Sequence, residues 1–285
     1  MSRIWICAGW LLAAAPSLLS AHQPSAAATY LGNEGVLVAR GETKVVFDAF
    51  YDDSYGQYTL VPDTIVSAML AGEPPYDGVD AVLVSHVHGD HFAAGPAVAY
   101  LRAHPEVPLY GSQQTLDKIA EFVGEEDPLL ARIIAVDLKP EDPPVRFDID
   151  GLVIEAVAIP HAGNRPEIQN LSWRVTLDGK TTVTHFGDAG VVMADFDRHA
   201  EHFAARRSQA AFPPYWFYGE DDGRTIIDKH FHADQVVGVH VPAAATGHGE
   251  AARARFGADL FTDPGESRSL EGAPLANPKD RREQP

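Results

Sequence analysis

Apolar positions fall in short blocks along the chain, and most blocks end at a Gly, Pro, Asn or Asp cluster. Residues 30–38 read as one strand and 43–47 as a second, with Gly41-Glu42 as the hairpin turn between them. Residues 48–78 are loop-rich, interrupted by a short helix over 63–70 with Asp63 as its N-cap. The continuous apolar run over 79–85 predicts a strand buried on both faces. Helical spacing follows over 95–104 and 112–123, with a strand over 107–110 between them. Asp150-Gly151 joins strands 145–149 and 152–159, and Asp178-Gly179 joins 171–177 and 181–186. A late buried strand is expected over 236–241. Strands and helices interleave in both halves with no break in composition. The expectation is one α/β domain over 28–265, two sheets packed together with helices outside, and a disordered Pro-, Gly- and charge-rich tail over 266–285.

The first residues read differently. Arg3 precedes the uninterrupted run of apolar and small residues over 4–15, which Pro16 and Ser17 end. This is the pattern of a secretory signal peptide over 1–21, with cleavage at Ala21 or as late as Ala28. A membrane anchor is the rival, but the run is shorter than the roughly 20 residues a span needs, and no later segment could cross a bilayer. The expected location is periplasmic or secreted. The one cysteine, Cys7, lies inside that signal, so any metal site must use His and carboxylates. A formal net charge of −18 repels phosphate backbones and argues against a nucleic-acid partner.

The chemistry concentrates in Ser85-His86-Val87-His88-Gly89-Asp90-His91. Four potential ligands within six residues, directly after a buried strand, have no packing use. A His-rich tail would bind metal adventitiously but would not follow a core strand. His86 and His88 alternate, so an extended backbone points both the same way. Gly89 is expected to permit a sharp turn that takes Asp90 and His91 to a second point. Two adjacent metal positions follow.

His-x-His-x-Asp-His resembles the signature of the metallo-β-lactamase superfamily, over roughly residues 28–265. The resemblance implies a four-layer αββα sandwich and a pair of divalent ions, zinc by default, with manganese or iron also suited to such ligands. Carried over by position, His86, His88 and His161 would hold the first ion, Asp90, His91 and His240 the second, and Asp188 would bridge them. Asp48 resembles the supporting aspartate below the His loop. His232 rivals His240, which is preferred for its apolar strand. The other histidines, among them His104, His185, His199, His202, His230 and His248, read as surface or supporting groups.

The β-lactamases themselves lack the bridging aspartate, so Asp188 points elsewhere in the superfamily. Glyoxalase II, the tRNA-maturing nuclease, and the group of ascorbate-6-phosphate lactonase and N-acyl-phosphatidylethanolamine phospholipase D carry it. The acidic surface argues against the nuclease, and the compact sequence most resembles the last group. The resemblance implies hydrolysis of an ester-type bond, a phosphoric diester or a lactone or carboxylic ester, by a metal-bridging hydroxide that Asp90 helps orient. The rivals are an exported β-lactam hydrolase and a metal-binding protein without turnover.

Pro213-Pro214 stiffens the stretch before Tyr215, Trp216, Phe217 and Tyr218. Such aromatics serve equally as core. As a pocket rim, with Tyr51, Tyr55 and Tyr58 facing them, they would favour a small-molecule substrate with an apolar or aromatic group.

Overall fold

The computed structural model describes residues 26–271, so the expected signal and most of the expected tail lie outside the described residues. The first sheet contains β1 (Ala26–Gly32), β2 (Gly35–Arg40), β3 (Thr43–Phe47), β4 (Ala81–Leu83), β5 (Leu109–Ser112) and β6 (Ile133–Val136) in that spatial order, with β14 (Ser267–Ser269) beyond β1. The second contains β7 (Val145–Ile149), β8 (Leu152–Ala158), β9 (Leu171–Leu177), β10 (Thr181–His185), β11 (Ser208–Phe212), β12 (Ala233–Gly238) and β13 (Asp259–Leu260) in order. Each sheet has an antiparallel half built from hairpins, then a parallel half built by crossovers.

Period-two alternation sorts the side chains of β3 into two cores. Val45 and Phe47 point between the sheets, against Ile154, Trp173 and Phe212, while Val46 points outward. On that outer face α1 (Asp63–Ala71), α2 (Ala94–Ala103) and α3 (Gln113–Val123) bring Met69, Leu101 and Ile119 onto Val46, Val82 and Leu109. The outer face of the second sheet is covered by α4 (Met193–Arg198), α5 (Ala200–Ala204) and α6 (Asp221–His230), which pack Phe196, Phe203 and Ile226 against Val157 and Ala211. A last helix, α7 (Gly249–Phe256), closes the edge beside Leu260. The result is the expected αββα sandwich.

Several boundaries differ from expectation for local reasons. The block over 30–38 is two strands, because Gly32-Asn33-Glu34-Gly35 folds into a turn with Asn33 at φ 45°. The cap of α1 is Pro62, and Asp63 is its first helical residue. The late strand ends at Gly238, so His240 stands beyond it. The segment from 266 is not wholly tail: Ser267–Ser269 pairs antiparallel with β1, and Arg268 reaches Asp259 at 2.8 Å.

Six segments end at one rim of the sandwich: the β1–β2 turn, and the stretches after β3, β4, β8, β10 and β12. Asp48, His86, His161, Asp188 and His240 all follow strand ends there. Open sheets commonly place ligands beyond the carboxyl ends of parallel strands, where loops can carry polar groups that the core cannot.

Candidate metal centre

Asp48 organises the His loop from below. It is buried at φ 38° and accepts hydrogen bonds from the Ser85 amide at 2.7 Å, the Ser85 hydroxyl, and His91 Nδ1 at 2.9 Å. Those contacts decide tautomers. His91 donates through Nδ1, which leaves its Nε2 facing inward without a hydrogen-bond partner. Ser85 gives its proton to Asp48, so its oxygen accepts from His86 Nδ1 at 3.0 Å, and His86 also turns a bare Nε2 inward. His161 donates Nδ1 to the Ala162 carbonyl at 2.6 Å and faces the same point with Nε2.

Two donor sets result. His88 Nδ1 lies 3.1 Å from both His86 Nε2 and His161 Nε2, and Asp188 Oδ2 lies 3.2 Å from His161 Nε2. On the other side His240 Nε2 lies 3.2 Å from Asp90 Oδ2 and 3.2 Å from Asp188 Oδ1, with His91 Nε2 3.3 Å from that same Asp188 oxygen. His86, His88, His161 and Asp188 form one group that could hold an ion, and Asp90, His91 and His240 form another.

The residues fit a metal pair on three counts. Donors about 2.0–2.1 Å from a tetrahedral ion sit roughly 3.3 Å apart, close to the spacings here. Imidazole nitrogens whose outer contacts leave them unprotonated repel one another unless a cation lies between them. Asp48, Asp90 and Asp188 are all buried, and among the described residues their ion-pair contacts are with histidines, never with Lys or Arg. Buried anions of that number require cationic compensation.

The titration pattern follows the same charges. Burial would raise the Asp188 carboxyl, but the neighbouring His240 and His91, and then His161, outweigh it and hold it well below the usual range. Burial would lower His91, and Asp188, Asp48 and Glu34 together raise it well above normal. Glu34 is pushed well up, first by burial and only partly opposed by His91.

The loops are locked to one another. Asn170 Nδ2 donates to the Ile159 and Phe186 carbonyls, and its Oδ1 accepts from the Asp188 amide at 3.0 Å. Ala162 donates to the Asp188 carbonyl at 2.7 Å, and Gly190 to the Pro160 carbonyl at 2.9 Å. A Cβ on Gly187, at φ 52°, would come within 2.5 Å of Ser85 Cβ. Gly89 has a different role from the one expected. It is not in the left-handed region, and what a side chain there would meet is Asp53 and Tyr55, whose hydroxyl accepts from the Gly89 amide at 3.0 Å.

Sequence reasoning missed Asn33, Glu34, Asn170 and Arg165. The first two stand as a polar pair inside an apolar block, which was the available signal. Glu34 lies fully buried 3.6 Å from His185 Nε2, and Arg165 Nη1 lies 3.3 Å from His88 Nε2. His232, the rival of His240, is exposed and belongs to neither donor set.

The aromatic stretch divides. Tyr215–Tyr218 is one short 3-10 turn, so successive side chains leave in different directions. The Trp216 ring lies 5.2 Å from the His240 ring, and its Nε1 donates to the Ala189 carbonyl at 3.1 Å. Tyr58 meets His240 edge-on at 4.1 Å. Phe217 and Tyr218 are not at the rim. Phe217 packs with Phe186, Phe196 and Phe231, and Tyr218 packs with Val241 and Leu260. Tyr215 rests on Phe256, and Tyr51 is buried with its hydroxyl on the Thr59 carbonyl at 2.7 Å.

Solved structures share this architecture. Igni18, a metallo hydrolase from Ignicoccus hospitalis, is 16% identical, with a TM-score of 0.56 over 85% of this chain and 97% of its own. A possible metal-dependent hydrolase from Veillonella parvula is 14% identical, with a TM-score of 0.56 over 87% of this chain and 100% of its own. An isothiocyanate hydrolase from Delia radicum gut bacteria is 16% identical, with a TM-score of 0.53 over 85% and 98%. At such identities the likeness is one of fold. No curated protein matches the chain. The model of the beta-lactamase superfamily domain matches residues 43–253, most of the chain and all seven residues of the two donor sets, so the chain belongs to that superfamily.

Proposed function

We propose that the protein is a two-metal hydrolase of an ester-type bond, acting on a small molecule with an apolar or aromatic group. The reading rests on Asp188: one carboxylate oxygen faces His86 and His161, the other His91 and His240. A bridging carboxylate needs that division. When bound, the two ions supply a water of lowered pKa and an electrophile for the bond under attack. The chain's own residues do the rest. Asp90 is the carboxylate positioned to take the water's proton. Tyr58 and Trp216 flank His240 and offer an apolar face to the substrate.

The bridging aspartate favours the lactonase and phosphodiesterase group over the β-lactamases. Zinc is the first choice of metal for an exported protein, and the apolar run over 4–15 supports export. The isothiocyanate hydrolase of the same fold adds one further electrophile worth assaying.

The test is a panel on metal-replete protein with and without chelator: aryl phosphodiesters, lactones, carboxylic esters, an aryl isothiocyanate and a chromogenic cephalosporin. Chelator-sensitive turnover of one ester class is expected. Turnover of the cephalosporin alone would overturn the ester reading, and no turnover with two ions bound would favour a binding protein.

A further inference from the structure

A cavity of about 560 Å³ lies against His161 and is lined by Leu138, Pro140, Ile159, Pro160 and Arg165. Arg165 is exposed on the loop that follows His161. Among the described residues it has no ion-pair partner, and its one side-chain hydrogen-bond contact is Nη1 to His88 Nε2. A guanidinium can only donate, so that contact is a hydrogen bond only while His88 Nε2 carries a lone pair. The inner nitrogen of His88 is Nδ1, 3.1 Å from its two partner histidines. If Nδ1 gives its lone pair to an ion, the neutral ring must carry its proton on Nε2. Two donors then face each other and the contact is lost. Occupying the first site therefore frees a cation beside it, at the mouth of a cavity. Lys139 also lines this cavity, as do two carboxylates, Asp137, which Gln169 engages, and Glu167, two residues from Arg165.

We propose that Arg165 is a specificity-determining residue that binds an anionic group of the substrate, a carboxylate or a phosphate, with the adjoining part of the substrate in the cavity beside His161. This rests on the two-metal reading, because the release of Arg165 depends on His88 Nδ1 being a ligand. The protein is strongly acidic overall, with a formal net charge of −18. An anionic substrate needs local positive charge to approach it, and the guanidinium fork matches carboxylate or phosphate geometry.

The test uses metal-loaded full-length protein, with metal content measured on each sample. Calorimetric titration with phenylphosphonate reads binding without turnover. Arg165→Gln should weaken it roughly 10- to 100-fold, the range expected for a charge-assisted hydrogen bond, with two ions retained. Arg165→Lys should restore part of the loss. In turnover, Arg165→Gln should lower kcat/KM for para-nitrophenyl hemisuccinate at least tenfold more than for para-nitrophenyl acetate. Two ions per chain with phenylphosphonate binding unchanged would overturn the proposal and leave the two-metal reading standing. Fewer than two ions in the wild type would overturn both.

Discussion

Asn33 holds Asp90 from across the sheet: its Nδ2 donates to the Asp90 main-chain carbonyl at 2.9 Å and lies 3.3 Å from the Asp90 carboxylate, 57 residues away in sequence. The Asn33 carbonyl in turn accepts from the His240 amide at 2.9 Å. One turn residue therefore positions two of the second donor set, and His240 is held at φ 59°, a conformation uncommon outside glycine.

Asn33→Ala should leave the first donor set intact and loosen the second. Supporting groups of this kind typically change metal affinity 10- to 100-fold. The expected outcome is one tightly held and one weakly held ion, measured by competitive chelation. Two ions of unchanged affinity would show that Asp90 needs no brace.

Asp188→Asn preserves shape and removes the charge shared between the sites. Metal content should fall from two toward one, and turnover by about a hundredfold or more, since on the proposed two-metal reading the activated water depends on both cations. Circular dichroism should stay unchanged, because the apolar core does not rest on that carboxylate. Activity within a few-fold of wild type would make Asp188 a turn residue only.

The parts of this architecture that were legible in the chain were those with a strong local pattern. The His loop stood out because alternating imidazoles after a buried strand have no packing explanation. The hairpins at Asp150-Gly151 and Asp178-Gly179 carry positive φ at both turn residues, and their composition announced it. By contrast His161, Asp188 and His240 were found through resemblance, since a lone His or Asp after a strand has no distinguishing periodicity. Asn33 was hidden because apolar residues flank it on both sides and the block read as one strand. β11, Ser-Gln-Ala-Ala-Phe, lacks both alternation and β-branched residues, and only its parallel neighbours β10 and β12 make it a strand. Side-chain direction within the 3-10 turn at 215–218 was out of reach for the same reason: it is set by the partners, not by the order of residues.

That turn offers a paired test. Trp216 is partly exposed beside His240, while Phe217 is fully buried among aromatics. Trp216→Ala should lower kcat/KM for aryl esters well beyond any effect on methyl esters, with metal content unchanged. Phe217→Ala should cost about 3–5 kcal/mol of stability with no change in the aryl-to-methyl preference of the folded fraction. An equal loss on both ester types in Trp216→Ala would assign that residue to packing.

His202 on α5 gives a pH dependence whose sign is set by its neighbour. Arg174 Nη2 lies 3.2 Å from His202 Nδ1, and since the guanidinium only donates, the ring must be neutral there. Burial, then the charge of Arg174, pushes this histidine from 6.5 down to about 4. The unfolded chain therefore takes up a proton near pH 6.5 that the folded chain refuses until near pH 4. Stability from this group is complete above the unfolded value and is lost as pH falls through that window, levelling off below it. A tenfold change in proton affinity corresponds to about 1.4 kcal/mol, so the effect is on the order of 3 kcal/mol at most. His202→Asn keeps an acceptor for Arg174 and removes the titration. Urea unfolding near pH 7 and near pH 4.5, with chelator present so that ion release does not add to the slope, should show the wild type losing more stability than the variant. Equal losses in the two proteins would place the acid sensitivity elsewhere, in the histidines of the metal centre.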